Sequence, residues 1–284
     1  MEDKMLRKLK DFSRKLRAGA DASIGSEGAL RQIHAELVLQ RLSATERFKD
    51  PLRLLSSGCK VYSQNHEDGM IAEVFRRIGE GSRRFIEFGV EDGLECNSTF
   101  LVLQGWSGAW IEGSPVSAKA AGEHFAGYPV NIVNSYITVE NADAMIADLA
   151  GGPELDMLSI DIDSIDYWVW DAIRTVRPRL VVIEYNAALP PHVRKTVPID
   201  AAMAWDGSNY YGASLGALEA LGRGKGYSLV GCTLAGVNAF FVRDDLVADH
   251  FCAPFTAENH YEPARYYLSA ASGHRAGFGP WVEV

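Results

Sequence analysis

The stretch Arg83-Arg84-Phe85-Ile86-Glu87-Phe88-Gly89-Val90-Glu91-Asp92-Gly93-Leu94-Glu95-Cys96-Asn97-Ser98 decides the fold. It reads as a short apolar strand running into a glycine-bearing loop. Strand–loop units of this kind open doubly wound α/β domains, whose ligands sit beyond the carboxyl ends of the strands. Working outward, SGAWIEG (107–113) and YPVNIVNS (128–135) read as a second and a third strand. LDMLSIDID (155–163) and RPRLVVIEYN (177–186) read as two more, and GYSLVGCTLAGVNAFFVRDDL (226–246) as a closing pair. Helical spacing marks 63–79, with Met70, Ile71, Val74, Phe75 and Ile78 on one face, and marks 141–149 and 165–176. Residues 213–226 read as a helix with Ser214 as its N-cap and glycines at its end. Near-continuous apolar strands alternating with helices mean a mostly parallel sheet covered on both faces, and the closing pair adds an antiparallel strand.

The loop does not follow the G-x-G-x-x-G spacing of dinucleotide folds; it reads E-x-G-x-x-x-G, from Glu87 through Gly89 to Gly93. The two glycines let a backbone approach a ligand. Glu91, Asp92 and Glu95 crowd the place where a pyrophosphate would sit, and carboxylates beside a diphosphate repel it. A cationic ligand meets no such penalty. S-adenosylmethionine carries a sulfonium and no phosphate. The second strand ends in Glu112-Gly113, and Glu112 lies 25 positions after Glu87, where such folds place a carboxylate on ribose hydroxyls. The alternative is a solvated strand-end charge.

Acids also gather at later strand ends. Asp161, Asp163 and Asp166 follow one strand, and Glu184 and Asn186 follow the next. Adjacent strands would bring these oxygens together beside the crevice. Oxygen-only clusters suit Mg²⁺ or Mn²⁺, and a carboxylate there also serves as a general base on a hydroxyl. Asp161, Glu184 and Asn186 are the expected metal ligands, with Asp163 as ligand or base; the bland alternative is acids that cap the following helix. His192 and His66 are second-rank candidates for proton transfer. Of Trp168 and Trp170, two apart on a helix, at most one faces the core. Trp205, Tyr210 and Tyr211 lie in a loop, where aromatic faces pack on sugar rings or simply on their neighbours.

The 284 residues are 47% hydrophobic and 23% charged, ordinary for a globular chain. No apolar run approaches the roughly 20 residues that span a bilayer, and the charged N-terminus lacks the apolar centre of a signal peptide. A cytoplasmic protein is expected. Cys59, Cys96, Cys232 and Cys252 form no C-x-x-C pair, so in a reducing compartment they read as buried thiols and not as a zinc site or redox dithiol. A net charge of −9 argues against a nucleic-acid partner. Residues 1–18 carry seven cations against three acids, which leaves −13 on the remainder. Met5, Leu9, Phe12 and Leu16 recur there at helical spacing. Such a helix lies on an anionic membrane surface, here the inner one, or rests on its own domain. A linker, GADASIGSEG (19–28), precedes a second helix running from about Leu30 through Ile33, Leu37 and Leu42. Residues 1–55 read as a helical extension, a candidate for homo-oligomer contact, and 56–284 as the catalytic domain.

Taken together, Tyr62-Ser63-Gln64-Asn65, Glu67-Asp68-Gly69, FIEFGVEDGLECNST, GAWIEG, SIDID with DYWVW, VVIEYNA, YYGASL, KGYSLVG and NAFFVR resemble the FkbM-type methyltransferase family over about residues 61–243. The resemblance implies a Rossmann-like, seven-stranded, adenosylmethionine-dependent fold. It implies O-methylation of a hydroxyl on a sugar, glycan or other natural-product small molecule. It places Gln64, Glu87, Gly89, Gly93 and Gly113 on the cofactor, Glu112 on its ribose and Asp161 near its sulfonium. Two departures stand out. His66 stands where the family pattern has Gly, and Ser164-Ile165 where it has Gly-Asn. The rival readings are a non-catalytic binding protein that docks through its basic N-terminus, and a nucleotide-sugar enzyme, against which the acidic loop argues.

Overall fold

The computed structural model describes residues 28, 30, 32–199, 207–269, 276–280 and 282. Seven strands form one sheet: β1 (Arg84–Phe88), β2 (Ser107–Glu112), β3 (Val130–Asn134), β4 (Glu154–Ile160), β5 (Arg177–Glu184), β6 (Tyr227–Cys232) and β7 (Asn238–Arg243). Their order is β3-β2-β1-β4-β5-β7-β6. β1 pairs in parallel with both β2 and β4, with Phe85 opposite Gly108 on one side and Met157 on the other. Only β7 runs against its neighbours, β5 and β6. The doubly wound, mostly parallel sheet expected from the strand–helix alternation is therefore present, with its antiparallel strand where the closing pair placed it. The direction of winding reverses between β1 and β4, which opens a crevice at their carboxyl ends.

Side chains alternate across the sheet and build two cores. Ile86, Ile111, Leu158 and Val181 face one side, against α4 (Ala142–Ala150), α5 (Asp166–Ala172) and α6 (Leu215–Lys225). Phe85, Trp110, Met157 and Leu180 face the other, against α1 (Glu67–Ile78), α2 (Thr99–Leu103) and α3 (Pro115–His124). Ser214 caps α6 by accepting from the Ala217 amide, as its sequence suggests. Of the two tryptophans on α5, Trp170 is the buried one. Trp168 is part-buried and donates from Nε1 to the Val197 carbonyl. The pattern reading did not single out α2 and α3. Ser114-Pro115 opens α3 with a side-chain cap on the Ser117 amide and proline in its first turn.

Residues 32–43 are helical, as read, and lie mostly in solvent; Ile33 and Leu37 are each 58% exposed. Residues 1–27, including the basic stretch 1–18, fall outside the described residues, as does Trp205. Further along, Arg47 reaches Glu262 at 2.9 Å, and Leu54 is buried against Gly231. The chain then returns over the carboxyl edge of the sheet in a strap, residues 261–269. Tyr185 donates its hydroxyl to the Glu262 carbonyl and Tyr261 donates to the Ala187 carbonyl, both at 2.6 Å. Beyond the strap, the Phe278 ring packs 4.5 Å from that of Phe125. No helix among the described residues is long and apolar enough to cross a membrane.

Candidate active site

The crevice at the β1/β4 switch holds about 950 Å³. Gly89 shapes it. It leaves β1 at φ +73°, and a Cβ there would stand 1.8 Å from the Asp161 carbonyl oxygen. Only glycine lets the turn after β1 pass so close to the turn after β4. Gly93 also has a positive φ, but its missing Cβ makes room for the Trp110 and Phe125 rings, at 2.6 and 2.8 Å. It serves the core beneath the loop and does not line the crevice.

Glu112 lies at the other side of the loop. Its Oε2 accepts from the Glu91 amide at 2.8 Å and its Oε1 from the Ser114 amide at 2.7 Å. One carboxylate thus ties the turn after β1 to the turn after β2, with Gly113 between, and still has lone pairs for hydroxyl donors. Glu87 is committed differently. It accepts from the amides of Asn97 and Ser98, both at 2.9 Å, and from the hydroxyls of Ser98 and Ser159. Trp110 Nε1 donates to Ser98 Oγ at 2.7 Å behind it. Burial pushes the Glu87 carboxyl up. These donors make it the post that holds loop 96–98, not an open cofactor ligand.

Gln64 and Asn65 line the crevice on the loop before α1. That loop is fixed by Asp68, whose Oδ2 accepts from the amides of Val61, Tyr62 and Ser63 at 2.7–2.8 Å. Glu67 bridges it to β7, accepting from the Asn65 amide and from Asn238 Nδ2, each at 2.7 Å. His66 sits at φ +72°, which explains the glycine of the family pattern at this position. It lines a neighbouring groove and not the crevice. The other departure carries no backbone strain. In the turn after β4 the left-handed residue is Asp163, at φ +61°, while Ser164 and Ile165 have no positive φ.

β4 and β5 are neighbours, with Ile160 opposite Ile183, so the two acidic strand ends meet. Asp161, Asp163 and Glu184 each offer an oxygen within 4.8 Å of the others. Desolvation, then the charges of Asp166 and Asp163, drive the Asp161 carboxyl well above its ordinary range. Desolvation and Asp161 do the same to Glu184. Glu184 Oε2 is buried with no hydrogen-bond partner among the described residues. Asp166 is taken up locally. It accepts from the Ile162 and Ser164 amides at 2.9 and 3.1 Å, and burial pushes it up to about 6.

Asn186 does not join this cluster as a free donor. Its Nδ2 donates to the carbonyls of Asn209 and Tyr211, and its Oδ1 accepts from the Ala188 amide. His192 is exposed and lies away from the crevice lining. Among the described residues, the crevice lining holds eight carboxylates and no lysine, arginine or histidine. Lys60 meets one of these carboxylates, Glu95, at 3.8 Å from the neighbouring groove.

No protein-family model matches the chain, and no curated protein matches it. Solved structures do. The N-terminal domain of EvdMO1 with SAH bound is 14% identical, over 64% of this chain and 81% of that one, with a TM-score of 0.41. The plantazolicin methyltransferase BamL, in complex with a triazolic desmethylPZN analog and SAH, is 10% identical over 77% and 97%, with a TM-score of 0.42. SAM-bound CalS10, an amino pentose methyltransferase from Micromonospora echinaspora, is 13% identical over 64% and 92%, also at 0.42. The strand order itself, rather than these distant likenesses, establishes the Rossmann-like fold.

Proposed function

We propose that this chain is an S-adenosylmethionine-dependent methyltransferase acting on a hydroxyl of a sugar or natural-product acceptor, of the FkbM type. The observation that carries the reading is a crevice at the switch point that, among the described residues, is lined by acids and no cation, and is closed by Glu112. An anionic nucleotide would meet repulsion along the whole lining, whereas a sulfonium would meet attraction. The donor set fits the cofactor: Glu112 for ribose hydroxyls, and the Gly89 turn for close backbone approach.

When bound, adenosylmethionine supplies a methyl group on a positively charged sulfur. The chain's own residues then have two tasks. The loops tied by Glu112 and Glu67 fix the cofactor's place, because in-line displacement is sensitive to orientation. The acids after β4 and β5 would take the proton that the acceptor hydroxyl gives up. A carboxyl held well above its usual range is better matched to that task near neutral pH than an ordinary one.

The cluster also fits a divalent metal ion of the Mg²⁺ or Mn²⁺ class. Its donors are all oxygen, and the orphaned Glu184 Oε2 points to a missing partner. Asp161, Asp163 and Glu184 would hold the ion, and its charge would relieve their repulsion. Asn186 serves instead to hold the loop at 209–211. Calorimetry with adenosylmethionine, adenosylhomocysteine and NAD side by side tests the assignment. Binding of the first two and not the third is expected; NAD binding alone would overturn it.

A second reading, docking of the extension on an anionic membrane or on a second copy, is favoured by one feature. Leu30, Ile33 and Leu37 recur at helical spacing and are 67%, 58% and 58% exposed.

A further inference from the structure

Two buried side-chain oxygens that find no hydrogen-bond partner among the described residues belong to one strand pair: Glu184 Oε2 and Asn238 Oδ1. Glu184 ends β5, Asn238 begins β7, and the two stand opposite one another in the antiparallel register. One position along, the Tyr185 amide donates to the Val237 carbonyl at 2.9 Å. Antiparallel pairs alternate between two kinds, so Glu184 and Asn238 are the close, non-hydrogen-bonded kind. Their Cα atoms are about 4.5 Å apart and their side chains share one face of the sheet.

Asn238 is 3% exposed and lines the crevice. Thr233 fixes its backbone on both sides: the Asn238 amide donates to Thr233 Oγ1 at 3.0 Å, and the Thr233 amide donates to the Asn238 carbonyl at 2.8 Å. The side chain is fixed as well, since Nδ2 donates to Glu67 Oε1 at 2.7 Å. That bond turns Oδ1 away from Glu67 and leaves it an acceptor with nothing to accept. Buried acceptors without donors are costly. Two of them, on facing residues beside Asp161 and Asp163, call for one shared positive partner. A water molecule would offer two hydrogens but leave the charge of three carboxylates uncompensated. A divalent cation answers both needs.

We propose that Asn238 supplies the neutral oxygen of a four-residue metal site. Asp161 and Asp163 after β4, Glu184 at the end of β5 and Asn238 at the start of β7 hold one ion of the Mg²⁺ or Mn²⁺ class. The proposal rests on the metal reading above and takes its amide ligand from β7 instead of from Asn186. An amide oxygen adds coordination without charge, whereas a fourth carboxylate would repel Glu67 and the three acids already present. The bond to Glu67 decides which end of the Asn238 amide faces the ion.

The test uses the full chain and Mn²⁺, with the free ion counted by electron paramagnetic resonance. The unaltered chain should bind one Mn²⁺. Asn238→Ala and Asn238→Asp both lose the donor to Glu67, but only the alanine variant loses the oxygen. Asn238→Ala should weaken Mn²⁺ at least about tenfold, the lower end of the scale for even an outer-shell partner. Asn238→Asp should bind at least as tightly as the unaltered chain, because affinity rises with the charge of the ligand set. Equal Mn²⁺ affinity in the unaltered chain and Asn238→Ala would overturn Asn238 as a ligand and point to a buried water. Equal weakening in both variants would overturn it too and leave Asn238 as a strut for Glu67. Melting curves show whether the variants fold, and one measurement needs no variant. In the chain labelled with ¹⁵N-asparagine, substoichiometric Mn²⁺ should broaden the Asn238 side-chain amide before those of Asn131 and Asn259, which lie outside the crevice lining; no such preference would overturn the proposal. No Mn²⁺ bound by the unaltered chain at millimolar concentration would overturn the metal reading and the proposal with it. Adenosylhomocysteine binding, read separately in the calorimeter, bears on the methyltransferase reading alone.

Discussion

Replacing Glu112 separates cofactor recognition from loop architecture. The carboxylate is 8% exposed and already accepts two amides, from Glu91 and Ser114. Glu112→Gln keeps one acceptor oxygen but turns an NH₂ group toward the other amide, so donor faces donor. Glu112→Ala removes both acceptors. A hydrogen bond to a charged group contributes about 1.5–3 kcal/mol, so loss of the ribose contact should weaken adenosylhomocysteine by roughly 10- to 150-fold. The unpaired amides should add a stability cost of about 1–3 kcal/mol. For a chain of this size, that lowers the thermal midpoint by roughly 2–4 °C per kcal/mol. Calorimetry at a temperature well below the midpoint, paired with a melting curve, distinguishes the two effects. An affinity unchanged within about twofold, in a variant whose midpoint has fallen as expected, would show that Glu112 shapes the loops and never touches the ribose.

Three further outcomes are expected. Methyl transfer to a cognate hydroxyl acceptor should fall in EDTA and return with Mg²⁺ or Mn²⁺; full activity in EDTA with loss on Asp163→Asn would mean a metal-free general base, and no loss in either case a structural cluster. Asp166 is raised in the folded chain, so its contribution to stability is whole below pH 4 and is lost as pH rises through about 6. From 3.8 to about 6 that amounts to about 3 kcal/mol, and Asp166→Asn should flatten the pH dependence of the denaturant midpoint across this window; an unchanged slope would contradict it. If residues 1–18 lie on a membrane surface, full-length protein should bind anionic vesicles at low salt and lose them as salt rises, while a chain lacking 1–18 should not bind.

The fold was legible because its signal is local. β1, β2, β4, β5 and β7 are short runs that end at or beside glycine or an acid, and the antiparallel pair is announced by two strands with no helix between them. The helix at Pro115–His124 hid because Ala118 and Ala121 are its only buried residues, too few for an apolar stripe; Ser114-Pro115 was its one readable mark. The site was half legible. The acids after β4 and β5 were placed together correctly because adjacency follows from winding order. Which of them remain open to a ligand was not readable, since that depends on bonds across long separations. Glu87 is consumed by a loop ten residues on, and Asn186 by carbonyls more than twenty residues away. Gly93 illustrates the same limit, because a glycine needed for an indole looks the same in sequence as one needed for a ligand.

The strap at 261–269 follows all seven strands in chain order. A ribosome making this protein therefore releases a sheet with its switch-point crevice before the segment that crosses the carboxyl edge of β5 has emerged. A nascent or prematurely ended chain that stops after β7 would carry the loop after β1, Glu112 and the acidic cluster, but Tyr185 would lack the Glu262 carbonyl to which it donates. Such a product would have its crevice shaped and the carboxyl edge of β5 unlatched, so the order of synthesis leaves that edge to be secured by a segment made after the sheet.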